Sequence, residues 1–226
     1  MTYFFELLAS FLAVIVVISI HEFAHAFVAY KCGDPTAKFA GRMTLNPAKH
    51  FDPFGMLCFA FAGFGWAKPG PVNPYTFRNY NLGIFLTSAA GIFVNYLSAF
   101  LFYPLFFLTY TYVLPLVAGK YMSGFLFKLT LSLYSYSLSF SVFNLLPFYP
   151  LDGFRMVEAL NKRRGKVFVF LRKYGYYILL ALIAINIFSD YLPILGYFDI
   201  LSYVMSFAVN TLGWPIRKLW GLVFGF

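Results

Sequence analysis

Five stretches of this chain are long and apolar enough to cross a lipid bilayer: residues 3–30, 82–118, 121–149, 168–188 and 191–212. Each reaches the roughly 20 residues that a helix rising about 1.5 Å per residue needs to span the hydrocarbon. Backbone N–H and C=O groups in hydrocarbon must be satisfied within the spanning segment, so such a chain is expected to fold as an all-α polytopic membrane protein. Composition agrees, with 61% of residues hydrophobic, 23% aromatic and only 11% charged. Soluble domains carry about 25% charged residues, so an ordinary water-soluble enzyme is excluded. The 31 Phe and 18 Tyr suit lipid-facing surface and interfacial belts, not a cofactor site. The first twenty residues lack a basic leading region and a small-residue cleavage site, and they run straight into His21 and Glu22. They read as a retained span, not a signal peptide, and residues 1–226 read as a single transmembrane domain.

Between the first two spans, residues 31–81 are rich in Gly, Pro, Asn and basic side chains and cannot form a plain helix. Within them, residues 54–64 are apolar but about half the length of a span. This predicts a re-entrant or interfacial segment on the cytoplasmic side, in the form of a β-hairpin whose edge can receive an extended peptide.

Charge sets the orientation. Lys31, Lys38, Arg42, Lys49, Lys68 and Arg78 precede the second span, and Arg155, Lys162, Arg163, Arg164, Lys166, Arg172 and Lys173 lie between the third and fourth. Arg217 and Lys218 follow the fifth, leaving only Lys120 and Lys128 elsewhere. If each span reverses the chain, the first three groups share one face, which the positive-inside bias makes cytoplasmic, with the N-terminus outside. The net charge of +9 is then a consequence of membrane orientation and does not call for nucleic acid. Cys32 and Cys58, on the cytoplasmic side, are expected to be free thiols.

The chemistry starts in the first span, which reads His21-Glu22-Phe23-Ala24-His25. Two imidazoles four apart share a helical face and can reach one metal ion, and Glu22 beside them can take a proton from an attacking water and pass it to the leaving amine. Ionisable groups at membrane depth cost on the order of 2.5 kcal/mol or more each and persist mainly when paired or functional. A catalytic zinc needs a third protein ligand. The candidates are His50, Asp52, Asp152, Asp34 and Glu158. Asp152 is favoured because the third span breaks down around it, at Pro147, Pro150 and Gly153, and freed backbone groups are tolerated at that depth only beside a polar cavity. His50 and Asp52 read as structural, or as partners that orient a ligand.

With these motifs in view, the chain resembles the site-2 proteases, intramembrane zinc metalloproteases that cut transmembrane proteins in regulated proteolysis. The resemblance rests on His21 to His25, on Asn144, Pro147 and Leu151-Asp152-Gly153, and on Gly41-Arg42, Leu45-Asn46-Pro47 and His50-Phe51-Asp52-Pro53. It implies one Zn2+ held by His21, His25 and Asp152, Glu22 as general base, and a site that opens towards the cytoplasm of a cell membrane. It also implies that Asn144 hydrogen-bonds the substrate carbonyl or the developing oxyanion. Where many relatives have Ala-Gly-Pro followed three residues later by Asn, this chain has Ala90-Gly91-Ile92 and keeps Asn95. No loop has room for a PDZ domain, so a compact core enzyme is expected. The expected partners are the lipid bilayer and a transmembrane protein or peptide substrate. A membrane di-iron oxygenase would need more ligands than three His supply. A metal transporter or binding-only protein remains the alternative, but it has no need of Glu22 beside the metal.

Overall fold

The first helix, α1 (Thr2–Cys32), runs through the whole leading apolar stretch without Pro or Gly. It stops at Gly33, whose φ of +114° lies in the region that glycine alone enters freely. A Cβ at Gly33 would sit 3.1 Å from the Thr76 carbonyl oxygen, so the end of α1 is also where a later loop returns. The computed structural model describes residues 2–62, 65–161, 163–189 and 191–225, and among these every regular element is helical.

After α1 come a short turn of helix, α2 (Thr36–Phe39), then α3 (Pro53–Ala62), α4 (Tyr80–Leu108), α5 (Lys120–Leu145), α6 (Asp152–Leu160), α7 (Lys166–Ser189), α8 (Pro193–Gly196) and α9 (Ile200–Phe224). At the centre, α1, α4 and α5 pack pairwise on one another. The buried face of α4 carries Gly83, Thr87, Ser88, Gly91, Asn95, Ser98 and Ala99, and α1, which packs on α4 and α5, buries Ala9, Ala13, Ala26 and Ala29. Small residues at this spacing let the helix backbones approach closely, which is how helices associate where lipid removes the hydrophobic drive. Ile216 of α9 closes over Ala99, Tyr134 and Leu138, and α7 joins α9 through Leu179, Ile183 and Leu201.

Among the described residues, three helical stretches are long and apolar enough to cross a membrane: Tyr3–Cys32, Tyr80–Leu116 and Lys166–Ser189. The other two expected spans are helices of sufficient length, 26 residues for α5 and 25 for α9, but more polar. α5 buries a run of hydroxyl residues, among them Thr130, Ser132, Ser137 and Ser141, and α9 carries Arg217 and Lys218. α5 ends at Leu145 because Pro147 follows. The last helix starts at Ile200, well after residue 191. Pro193 opens α8 as a separate turn, and the Asp199 carboxylate caps α9 by accepting the Ser202 N–H at 3.0 Å.

The hairpin expected over residues 54–64 is a helix instead, with residues 63 and 64 outside the described set. Two local start signals outweigh the apolar, strand-like run. Asp52 Oδ1 accepts the Gly55 N–H at 2.9 Å, and Pro53 sits at the first helical position, where a missing N–H is harmless. Cys32 and Cys58 are free.

The loop beyond α3 is anchored by Asp34, whose residue is 0% exposed. Its Oδ1 accepts from the Thr36 N–H and hydroxyl and its Oδ2 from the Asn73 N–H at 2.7 Å. Burial raises the pKa of this carboxyl, but the donors from Thr36 and Asn73 outweigh it and hold the group below the usual carboxylate range. A depressed native pKa contributes stability that is full above the unfolded value of about 3.9 and disappears as pH falls through the native value. Asp34→Asn should therefore lower stability by about 1–3 kcal/mol at neutral pH. The gap to wild type should close as the pH is taken below about 4. Thermal unfolding in detergent across pH checks this, and equal melting at pH 7 would refute it.

Candidate metal centre

α1 presents His21 and His25 one turn apart, towards α4, and α6 brings Asp152 to them. His21 and His25 Nε2 are 2.9 Å apart, and Asp152 Oδ2 lies 3.3 Å from the first and 3.0 Å from the second. Asp152 is the first residue of α6, seated by Phe154, which is 1% exposed and stacks on Phe168 at 5.3 Å between ring centroids. Gly91 of α4 makes room for the pair, because a Cβ there would collide with both imidazoles.

Three acceptor-bearing atoms converge here, and among the described residues Asp152 Oδ2 is buried without a hydrogen bond of its own. Four ligands at zinc bond lengths of about 2.0–2.1 Å in a tetrahedron stand about 3.3 Å apart. The observed separations of 2.9–3.3 Å come close to that, and two imidazoles with one carboxylate match the ligand types of hydrolytic zinc sites. The donor set therefore fits the ion.

The opposite ring nitrogens are held by α4. His25 Nδ1 lies 2.7 Å from the Thr87 carbonyl, which can only accept, so the proton sits on Nδ1 and Nε2 keeps its lone pair. His21 Nδ1 faces the carboxamide of Asn95 at 3.0 Å, with Asn95 0% exposed and its Oδ1 buried without a partner. When His21 offers Nε2 as a ligand, Nδ1 carries its proton, and a flip of the Asn95 carboxamide presents Oδ1 to it. With that flip, Asn95 would fix the ring and tautomer of His21 for ligation.

Glu22 points towards the loop that follows α3, where its Oε2 accepts the Gly70 N–H at 3.1 Å. Asn144, on the last turn of α5, donates its Nδ2 to the Phe140 carbonyl at 3.1 Å. The remaining ligand candidates serve elsewhere. His50 Nε2 is bound to the Thr44 carbonyl at 2.8 Å, Asp52 caps α3, Asp34 anchors the loop, and Glu158 pairs with Arg172 at 3.3 Å. The sequence carries Asn95 in view but not its task, since only packing shows which ring it meets. The Thr87 carbonyl and the Gly70 amide are main-chain groups and leave no side-chain signal.

The model for peptidase family M50 matches residues 9–186. The chain belongs to this family, that of the site-2 proteases. It is 44% identical over 151 residues to "Putative zinc metalloprotease YwhC" of Bacillus subtilis, covering 66% of this chain and 67% of that protein. It is 28% identical over 212 residues to "Putative zinc metalloprotease Rip2" of Mycolicibacterium smegmatis, covering 91% and 78%. No solved structure matches significantly. Membership in M50 and the apolar helices support a membrane metalloprotease of the site-2 type, with zinc as its metal.

Removing a partner that orients a metal-ligating His typically lowers metal affinity by about 10–100-fold. Asn95→Ala is expected to weaken zinc binding by that amount, while Asn95→Asp, which keeps an acceptor, retains most of it. Zinc competition against a chromophoric chelator reads both, and unchanged affinity in Asn95→Ala would count against the assignment.

Proposed function

We propose that this protein is an intramembrane zinc endopeptidase that hydrolyses peptide bonds in or near transmembrane segments of other membrane proteins, in regulated intramembrane proteolysis. The observation that carries this is the meeting of His21, His25 and Asp152, with Glu22 adjacent to one ligand in sequence. His21 and His25 would hold zinc through Nε2 and Asp152 through Oδ2. The bound ion supplies Lewis acidity and makes a water reactive near neutral pH.

The chain's own residues do the rest. The Glu22 carboxylate takes the proton of the attacking water and returns it to the amine that leaves as the C–N bond breaks. Asn144 is the candidate donor to the carbonyl oxygen; of the two hydrogens on its Nδ2, one goes to the Phe140 carbonyl and the other is left to give. The substrate has to reach the centre extended, because helical backbone is already hydrogen-bonded and covered by side chains.

The same reading takes α1, α4, α5, α7 and α9 as five spans of one domain in a cell membrane, with the N-terminus outside and the centre open to the cytoplasm. The polar residues of α5 suit a span. Thr130 and Ser135 donate to carbonyls one turn back, and Ser141 donates to the Ile92 carbonyl of α4, so their hydroxyls are satisfied without water.

Glu22→Gln should keep one zinc per chain and lower cleavage of a reporter transmembrane peptide by about 10²–10⁴-fold, the range of a positioned general base. A chelator should abolish cleavage by the purified wild type, and zinc should restore it. Bound zinc with no cleavage of any tested peptide, together with metal flux in vesicles that survives Glu22→Gln, would favour a transporter.

A further inference from the structure

The stretch from Trp66 to Arg78 has only a short 3-10 turn of regular structure, at Pro74–Thr76, yet it is tied to its surroundings at short intervals. Lys68 N–H donates to the His50 carbonyl at 3.0 Å, Gly70 N–H to Glu22 Oε2 at 3.1 Å, Asn73 N–H to Asp34 Oδ2 at 2.7 Å, and Arg78 N–H to the Cys32 carbonyl at 3.0 Å. Three of the four ties end on α1 or on the residues just after it, so the strap follows the end of the helix that carries the metal motif. Its sequence at the centre is Lys68-Pro69-Gly70-Pro71. Pro69 and Pro71 have no N–H, and each keeps the residue before it out of the helical region, so Lys68 and Gly70 are held extended. Within Pro69–Pro71 the only main-chain donor is the one that meets Glu22.

We propose that Gly70 is a positioning residue for Glu22: its N–H fixes one carboxylate oxygen and thereby directs the other towards the substrate water. This rests on the reading of Glu22 as the general base. The bond spans 48 residues of sequence and is charge-assisted, so it restrains a side chain that would otherwise sample several rotamers. It also explains why a glycine need not stand here for space. A Cβ at Gly70 would meet only Glu22 Oε2, at 3.9 Å, an ordinary contact. What the position requires is an amide.

The test uses the full-length, zinc-loaded protein in detergent and compares Gly70→Pro, which deletes the N–H, with Gly70→Ala, which keeps it. Gly70→Pro is expected to lose about tenfold or more in kcat with KM and zinc content unchanged, a loss inside the range of a misplaced catalytic group. Gly70→Ala recovers that activity. Equal losses in the two variants, or wild-type kcat in Gly70→Pro, overturn the proposal.

A second measurement does not depend on Gly70→Pro folding. Because its neighbours are prolines, Gly70 supplies the one exchangeable main-chain hydrogen of that tripeptide, and hydrogen exchange read by mass spectrometry isolates it. In Glu22→Ala its exchange should speed up by at least about tenfold, and an unchanged rate overturns the proposal. If Glu22→Gln abolishes cleavage while Gly70→Pro cleaves normally, only the role of Gly70 falls. If Glu22→Gln cleaves normally, the base reading falls and takes this inference with it.

Discussion

Two imidazoles and a carboxylate held within 4.8 Å of one another inside a helical bundle set the terms for what packs around them. Ionisable groups in a medium of low dielectric persist only when partnered, and each partner here comes from a particular feature of a neighbouring helix. Gly91 opens the space, the Thr87 carbonyl and the Asn95 carboxamide take the outer ring nitrogens, and Phe154 seats the helix that delivers Asp152. The small-residue face of α4 is therefore more than a packing surface. The close approach that it permits to α1 puts a main-chain carbonyl and a short carboxamide within hydrogen-bond reach of rings that larger side chains would hold off.

The same demand shapes the irregular chain between α1 and α4. From Trp66 to Arg78 only the 3-10 turn at Pro74–Thr76 is regular, so the N–H groups of this strap go one by one to Asp34, to Glu22, and to the carbonyls of His50 and Cys32. Asp34 and Glu22 are thus two carboxylates with opposite assignments along one helix and its exit. Asp34 is fully enclosed and spends both oxygens on the loop, which suits an anchor. Glu22 is only half-buried and the loop takes one of its oxygens, which suits the role of base proposed for it.

Much of this was legible in the residues. The long helices follow from apolar length, and the meeting of His21, His25 and Asp152 from the His21 to His25 spacing and the break around Asp152. Three things were not. The segment after His50 reads as a strand by its apolar run, and the helix start encoded by Asp52 and Pro53 is a local signal that such a count passes over. The start of α9 depends on a cap at Asp199 that hydropathy does not weigh. The ring partners depend on which face of α4 meets α1, and main-chain groups such as the Thr87 carbonyl carry no identity in a sequence at all. Polar content also divides the long helices. α5 is as long as a span, and its Thr130, Ser135 and Ser141 hydroxyls bond its own carbonyls or that of Ile92 on α4, so its suitability for lipid depends on packing as well as on composition.

The depth of the centre bears on how a substrate reaches it. His25 lies seven residues before Cys32, the end of α1, or about 10 Å along the helix, in a hydrocarbon core about 30 Å thick. On the proposed reading, a centre so near one face would meet a transmembrane substrate close to a helix end and not at its middle. The last turns of a helix already lack part of their hydrogen bonding and fray, so opening a peptide bond there disrupts fewer intact bonds than opening one at the midplane. Water is also nearer at that depth. The tilt of charge towards one face, the position of the His motif in α1 and the chemistry of hydrolysis therefore support the arrangement proposed above, in which the enzyme would work where substrate helix and bilayer are both easiest to open.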